Sequence, residues 1–392
     1  MAGRTYILPV IVFAQFCCTS LWFAGNAVLN DLTLALNLPA TGLGYLTAAV
    51  QLGFITGTLF FAILSIADRF SPSKVFFICA VTGASLNLGI ALQDNTYESL
   101  GVLRLLTGFS LAGIYPVGMK IAADHFEQGL GRSLGFLVGA LVLGTAFPHL
   151  LRFLTGSVIL PWKTVIIVTS LLAALGGILI MLLVPDGPYR KKLFGIRFGV
   201  IKDLFKIDAF RRAASGYFGH MWELYAFWAF VPVFLFAYLT HHGFQTYDIS
   251  LWSFIILATG TIGCVAAGYL SGFSGTKKTA ATALFFSGCC CLISPIIFLQ
   301  ESVILLLLFL VFWGFMVVAD SPLFSTLVAQ NAPPPWRGTA LTIVNCIGFS
   351  ITIISILLLN FLIAKGFPPS YLFLLLLPGP VLGLTGLYYS KK

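Results

Sequence analysis

Residues 186–212 read DGPYRKKLFGIRFGVIKDLFKIDAFRR, the longest polar interruption in a chain of 392 residues. On either side lie apolar windows of about 20 residues, the length that carries an α-helix across a bilayer. Six such windows precede the interruption, at 6–29, 43–66, 73–92, 99–124, 133–155 and 162–184. Six follow it, at 213–239, 250–271, 279–299, 303–329, 338–363 and 370–389. The expected fold is an all-α membrane protein of twelve transmembrane helices in two six-helix halves, 1–185 and 213–392, joined by the basic linker 186–212.

Composition demands the same solvent. The chain is 59% hydrophobic and 9% charged, whereas a soluble domain carries about 25% charged residues. So little charge cannot cover a globule in water, and lipid is the medium. No small-residue cleavage site interrupts 6–29, so this window is read as a retained helix.

Charge sets the orientation. With the N-terminus inside, the inner breaks hold most of the basic residues, among them Arg69, Lys74, Arg132, Arg190, Lys191, Lys192, Lys277, Lys278, Arg337 and Lys392. The outer breaks keep Lys163 and Lys365 beside Asp31, Asp94, Glu98, Asp248 and Glu301. Lys and Arg mark the cytoplasmic side, which places both termini there. The net charge of +9 is a topology signal and requires no nucleic acid. The eight cysteines sit in apolar stretches and read as small apolar filler, with no metal site or cofactor expected.

The halves echo each other. LSIADRFSPSK (64–74) has a counterpart in GYLSGFSGTKK (268–278), and EQGLGRSLG (127–135) in PPPWRGTAL (333–341), which sets Arg132 against Arg337. Two matches at nearly one offset indicate a duplicated six-helix unit. The loop 64–74 resembles the G-x-L-A-D-R-x-G-R-K motif of the major facilitator superfamily. It keeps Ala67, Asp68, Arg69 and a late Lys74, and departs at Leu64, Ser71 and Pro72. The second copy keeps Gly268, Leu270, Ser271, Gly275 and Lys277, with Gly272 in place of the acid. AGIYPVGMK (112–120) and LWFAGN (21–26) are loosely similar to bacterial nitrate, nitrite and cyanate porters, although the glycine-rich nitrate signature is absent. The resemblance implies a monomeric secondary transporter of a bacterial inner membrane, with alternating access and no enzymatic activity. It assigns Asp68, Arg69, Arg132 and Arg337 to gating, and Arg104 to solute or proton handling.

A charge at the bilayer centre costs about 2.5–3.5 kcal/mol on insertion scales, so intramembrane ionisable residues should face a cavity or a partner. In GYFGHMWELYAFWAF (216–230), His220 and Glu223 lie about 60° apart on one helical face. They are candidates for proton coupling, joined by Asp320 in VVADSPLFSTLVAQ (317–330). The Asp320–Pro322 interruption aligns with Tyr115-Pro116 in the other half, and matched interruptions point to a solute site. Expected solute contacts are Arg104, Tyr115, Lys120, Trp22, Asn26, Gln51, Tyr225, Trp228, Ser321 and Asn345. Arg104 and Lys120 stand about 24 Å apart on one helix at ~1.5 Å per residue and cannot grip one small ligand together. Lys120 admits three readings: snorkelling, anion attraction or a structural ion pair.

Bases in the first half and acids in the second suggest proton-coupled movement of a small anion. Proton-driven efflux of amphipathic compounds is a second transport reading, and a non-transporting receptor or scaffold is one of another class. No phosphate-binding loop is present, so ATP hydrolysis is not the energy source.

Overall fold

The computed structural model describes residues 6–36, 38, 42–92, 94–126, 130–156, 162–190, 198–244 and 246–389, with the side chains of 130–132 and 198 outside that set. The described residues are helices and their connections, and the chain divides into two compact units, Met1–Ile196 and Arg197–Lys392.

In the first unit the long helices are α1 (Ile7–Thr19), α2 (Gly42–Ile63), α3 (Pro72–Gly89), α4 (Tyr97–Ala112), α5 (Tyr115–His125), α6 (Leu130–Gly156) and α7 (Lys163–Leu183). In the second they are α8 (Asp208–His241), α9 (Ile249–Ser274), α10 (Thr276–Phe298), α11 (Val303–Ala319), α12 (Ser321–Asn331), α13 (Arg337–Ala364) and α14 (Pro378–Tyr388). Among the described residues ten helical stretches are long and apolar enough to cross a membrane, with α4–α5 and α11–α12 each forming one stretch. Two expected spans of the first unit fall outside this set: α1 has only 13 residues, and α3, with 18, is less apolar because it carries Lys74 near its start and Asn87 near its end.

α1 is short because the window 6–29 is not one helix. It stops at Thr19, and the short helices Ala24–Ala27 and Leu29–Leu36 follow. Only tight bonds carry the chain through the break, from the Leu21 amide to the Cys18 carbonyl at 3.3 Å and from Trp22 to Thr19 at 3.0 Å. At the other expected boundary, α8 begins at Asp208, five residues before 213, because Asp208 pairs with Arg211 and Arg212 one turn on.

Within each unit, glycine sets how closely helices approach. A Cβ on Gly108 of α4 would stand 2.0 Å from the Val50 carbonyl oxygen of α2, and one on Gly57 would stand 2.7 Å from the Phe109 oxygen. The second unit repeats this at an offset of 206 residues. A Cβ on Gly314 of α11 would lie 2.0 Å from the Ile256 oxygen of α9, and one on Gly263 would lie 2.3 Å from the Phe315 oxygen. In lipid, such small residues let backbones pack where no hydrophobic force draws helices together. Within α6 a Cβ on Gly144 would stand 2.4 Å from the Phe16 carbonyl oxygen of α1, whereas one on Gly135 would meet nothing within 4 Å.

Both units also break their fourth span. Pro116 stands second in α5 and Pro322 second in α12, again 206 residues apart. Proline has no N–H and its ring crowds the carbonyl one turn back, so each helix stops and restarts.

Candidate functional site

Three helices of the second unit converge on Glu223. The residue is 1% exposed. Its Oε1 accepts a hydrogen bond from Ser287 Oγ of α10 at 2.5 Å and from Trp313 Nε1 of α11 at 2.7 Å. The Cys291 thiol, one turn beyond Ser287, reaches the same oxygen at 3.4 Å. Trp313 also donates to Ser287 at 3.1 Å, which closes the network. The indole is fixed by rings: Phe227 at 4.8 Å, Phe373 at 5.2 Å and Phe309 at 5.5 Å. A buried carboxyl met by hydroxyl, indole and thiol donors keeps its partners whether it is ionised or neutral.

One turn earlier on α8, His220 Nδ1 lies 2.8 Å from Asp320 Oδ1, and both side chains are 1% exposed. Asp320 occupies the junction between α11 and α12, where its own carbonyl accepts the amides of Leu323 and Phe324 at 3.0 and 2.9 Å. The pair therefore ties the α8 helix to the interruption of the fourth span. Ser321 opens α12 beside it. Tyr225 stacks against Trp228 and Phe349, each at 5.2 Å, and Asn345 lies on α13 one turn before Phe349.

The first unit has different chemistry. Arg104 is 1% exposed, and its two terminal nitrogens donate to the carbonyls of Leu21, at 2.9 Å, and Trp22. These carbonyls lie in the break just beyond the end of α1, where the chain is not helical. Arg104 thus secures the broken first span, while its Nε has no hydrogen-bond partner and no carboxylate pairs with it among the described residues. Trp22 packs on Phe54 at 4.8 Å, and Asn26 donates to Thr47 at 2.8 Å. Thr47, Gln51 and Phe54 share one face of α2, so Gln51 lies between these contacts; it is fully buried and neither amide atom has a hydrogen-bond partner. Tyr115 begins α5.

Lys120 does not stand free. Its ammonium lies 2.9 Å from Asp68 and 3.5 Å from Asp124, and the structural ion pair is the reading the geometry selects. Around it, Arg190 donates to the carbonyls of Asp68 and Phe70 and pairs with Asp186, which accepts from Ser71 at 2.6 Å. Asp68 and Arg69 therefore sit in a charged cluster of their own unit. Arg337 starts α13, and the Arg132 side chain lies outside the described residues.

Sequence reasoning missed Ser287, Cys291 and Trp313, and also Asp124, Asp186 and Arg190. The signal for Trp313 was an N–H-bearing ring inside VILLLLFLVFWGF, a run with no other polar atom outside its backbone. Ser287 and Cys291 are spaced i, i+4 on one face.

Helices of membrane-spanning length, glycine-sealed crossings and paired interrupted spans define a multi-span membrane protein built from a repeated unit. The model of the Major Facilitator Superfamily matches residues 11–377, and the chain belongs to that family. Among solved structures, the human organic anion transporter MFSD10 (TETRAN) superposes with a TM-score of 0.75 at 16% identity, covering 99% of this chain and 100% of that one. The nucleoside transporter NupG gives 0.73 at 15%, covering 97% and 98%. A bacterial homolog of the human lysosomal transporter Spinster gives 0.68 at 13%, covering 99% and 95%. The MFS-type transporter clz19 of Cochliobolus lunatus is 35% identical over 79 residues, which span 20% of this chain and 15% of that protein.

Proposed function

We propose that the protein is a proton-coupled secondary transporter that moves a small anion by alternating access. The observation that carries the proton assignment is Glu223, buried and held by neutral donors, with the His220–Asp320 pair one turn away. A carboxyl with such partners can change charge without losing its place. The anion assignment now rests on Arg104 alone. Its charge is buried against carbonyl dipoles and no acid neutralises it among the described residues, whereas Lys120 is already neutralised by Asp68 and Asp124. Gln51, Tyr225 and Trp228 are proposed to complete the solute contacts, and the Asp68–Lys120 cluster, with Arg69, Arg132 and Arg337, to serve gating. Twelve crossings with both termini cytoplasmic, in the two halves 1–185 and 213–392, belong to the same reading.

The test uses purified protein in proteoliposomes under an imposed pH gradient, with the anion chosen by a thermal-shift panel of inorganic anions and small carboxylates. Glu223→Gln abolishes gradient-driven accumulation and spares counterflow exchange. Normal accumulation by Glu223→Gln would sink the proton role. Competition by hydrophobic cations and not by anions would move the solute assignment to amphipathic efflux, which the Tyr225–Trp228–Phe349 ring cluster would then line.

A further inference from the structure

All three donors that reach Glu223 converge on one of its two oxygens. Ser287, Trp313 and Cys291 meet Oε1. An indole N–H can only donate, in any protonation state of its partner. If the carboxyl took up a proton on Oε1, the Trp313 N–H would have no lone pair to receive that hydrogen, and only the Ser287 hydroxyl or the Cys291 thiol could take it. The indole would be left donating to a protonated oxygen, a poorer acceptor. The indole cannot turn away, because Phe227, Phe309 and Phe373 pack around its ring. Protonation on Oε2 instead leaves all three donors their acceptor, and is the form that keeps this network intact.

We propose that Trp313 and Ser287 are positioning residues that hold Glu223 by Oε1 and so confine the exchangeable proton to Oε2. The proton arrives on Oε2, turns the carboxylate into a carboxylic acid whose carbonyl is C–Oε1, and leaves from Oε2. No electron moves and no co-reactant is needed. The side chain then keeps one orientation while its charge changes, and proton entry and exit share a single direction. This deepens the proton-coupling reading and rests on it. The titratable groups around Glu223 are His220 on its own helix, Asp320 at the α11–α12 junction, and Cys290 and Cys291 on α10.

Infrared difference spectroscopy between acidic and alkaline buffer tests this on the full chain in lipid, with no solute required. The carbonyl stretch of a protonated carboxyl falls when that oxygen accepts hydrogen bonds. The expected result is a low-frequency carboxylic band that disappears in Glu223→Gln and moves to higher frequency in Trp313→Phe and in Ser287→Ala. Trp313→Phe keeps an aromatic ring while removing the N–H, and Ser287→Ala is a second, smaller change should the first fail to fold. A band that Glu223→Gln removes, but that neither variant moves, overturns the positioning role and leaves the proton on Glu223. The absence of any band removed by Glu223→Gln overturns the proton reading as well.

Discussion

The two units share a scaffold and differ in what it holds. Gly108 against the Val50 carbonyl is repeated by Gly314 against Ile256, and Pro116 by Pro322, all at an offset of 206 residues. At that offset Ile114 before the first interruption corresponds to Asp320 before the second. An apolar residue thus stands at one break and a buried acid, partnered by His220, at the other. The first unit keeps instead a cation, Arg104, secured on carbonyls of its own broken first span. Backbone geometry was retained where helices cross, and the chemistry diverged where the helices break. The crossing leaves no room for change; a break offers free backbone groups that several side chains can satisfy.

The largest effect is expected where this comparison is most direct. His220→Leu leaves Asp320 buried without its partner, and a buried acceptor stripped of its hydrogen bond costs about 1–3 kcal/mol, more where the group is charged. Adding Asp320→Ile, which gives the second break the residue type of the first, should return most of that loss while abolishing coupled transport. Unfolding in mixed micelles measures the first and proteoliposome accumulation the second. If the double variant is as unstable as His220→Leu alone, the two breaks are not interchangeable scaffolds.

The glycine crossings come next. Ala at Gly108 or Gly314 places a methyl group 2.0 Å from a carbonyl oxygen, and overpacking of this kind costs about 1–3 kcal/mol. Equal losses in the two variants, with Gly135→Ala close to wild type, would establish that the duplicated crossings carry equal load. A neutral Gly314→Ala would show that the second unit can part its helices where the first cannot.

Much of this was legible before any coordinates. Hydropathy located ten of the twelve expected spans as stretches of membrane-crossing length, and the prolines gave the matched breaks, because proline acts through covalent geometry that neighbours cannot override. His220, Glu223 and Asp320 announced themselves by cost: an ionisable group in an apolar run requires a partner. The break after Thr19 left no such mark. No proline stands in QFCCTSLWFAGN, and the chain turns there because a residue 83 positions away, Arg104, takes the carbonyl of Leu21. Trp313, Ser287 and Cys291 were hidden for the opposite reason, since each is at home in an apolar helix and its donor acquires meaning only beside Glu223. Gly135 looked like its neighbours in α6, but a glycine's spacing does not say whether another helix lies opposite.

The smallest expected effect concerns the charged cluster of the first unit, which has no counterpart at the Gly272 position of the second loop. Lys120 and Asp68 are both about one-fifth exposed, and pairs open to solvent contribute about 0.2–1 kcal/mol. Lys120→Met should therefore lower stability by less than the glycine variants do, with a deficit that shrinks as salt is raised. Its informative readout is transport. If the cluster gates, the variant alters the balance between inward and outward exposure, measured as the rate at which a cysteine reporter on the loop 64–74 reacts with a water-soluble thiol reagent. If it only holds the loop to Asp186 and Arg190, that rate stays at the wild-type value and the asymmetry between the two loops is structural.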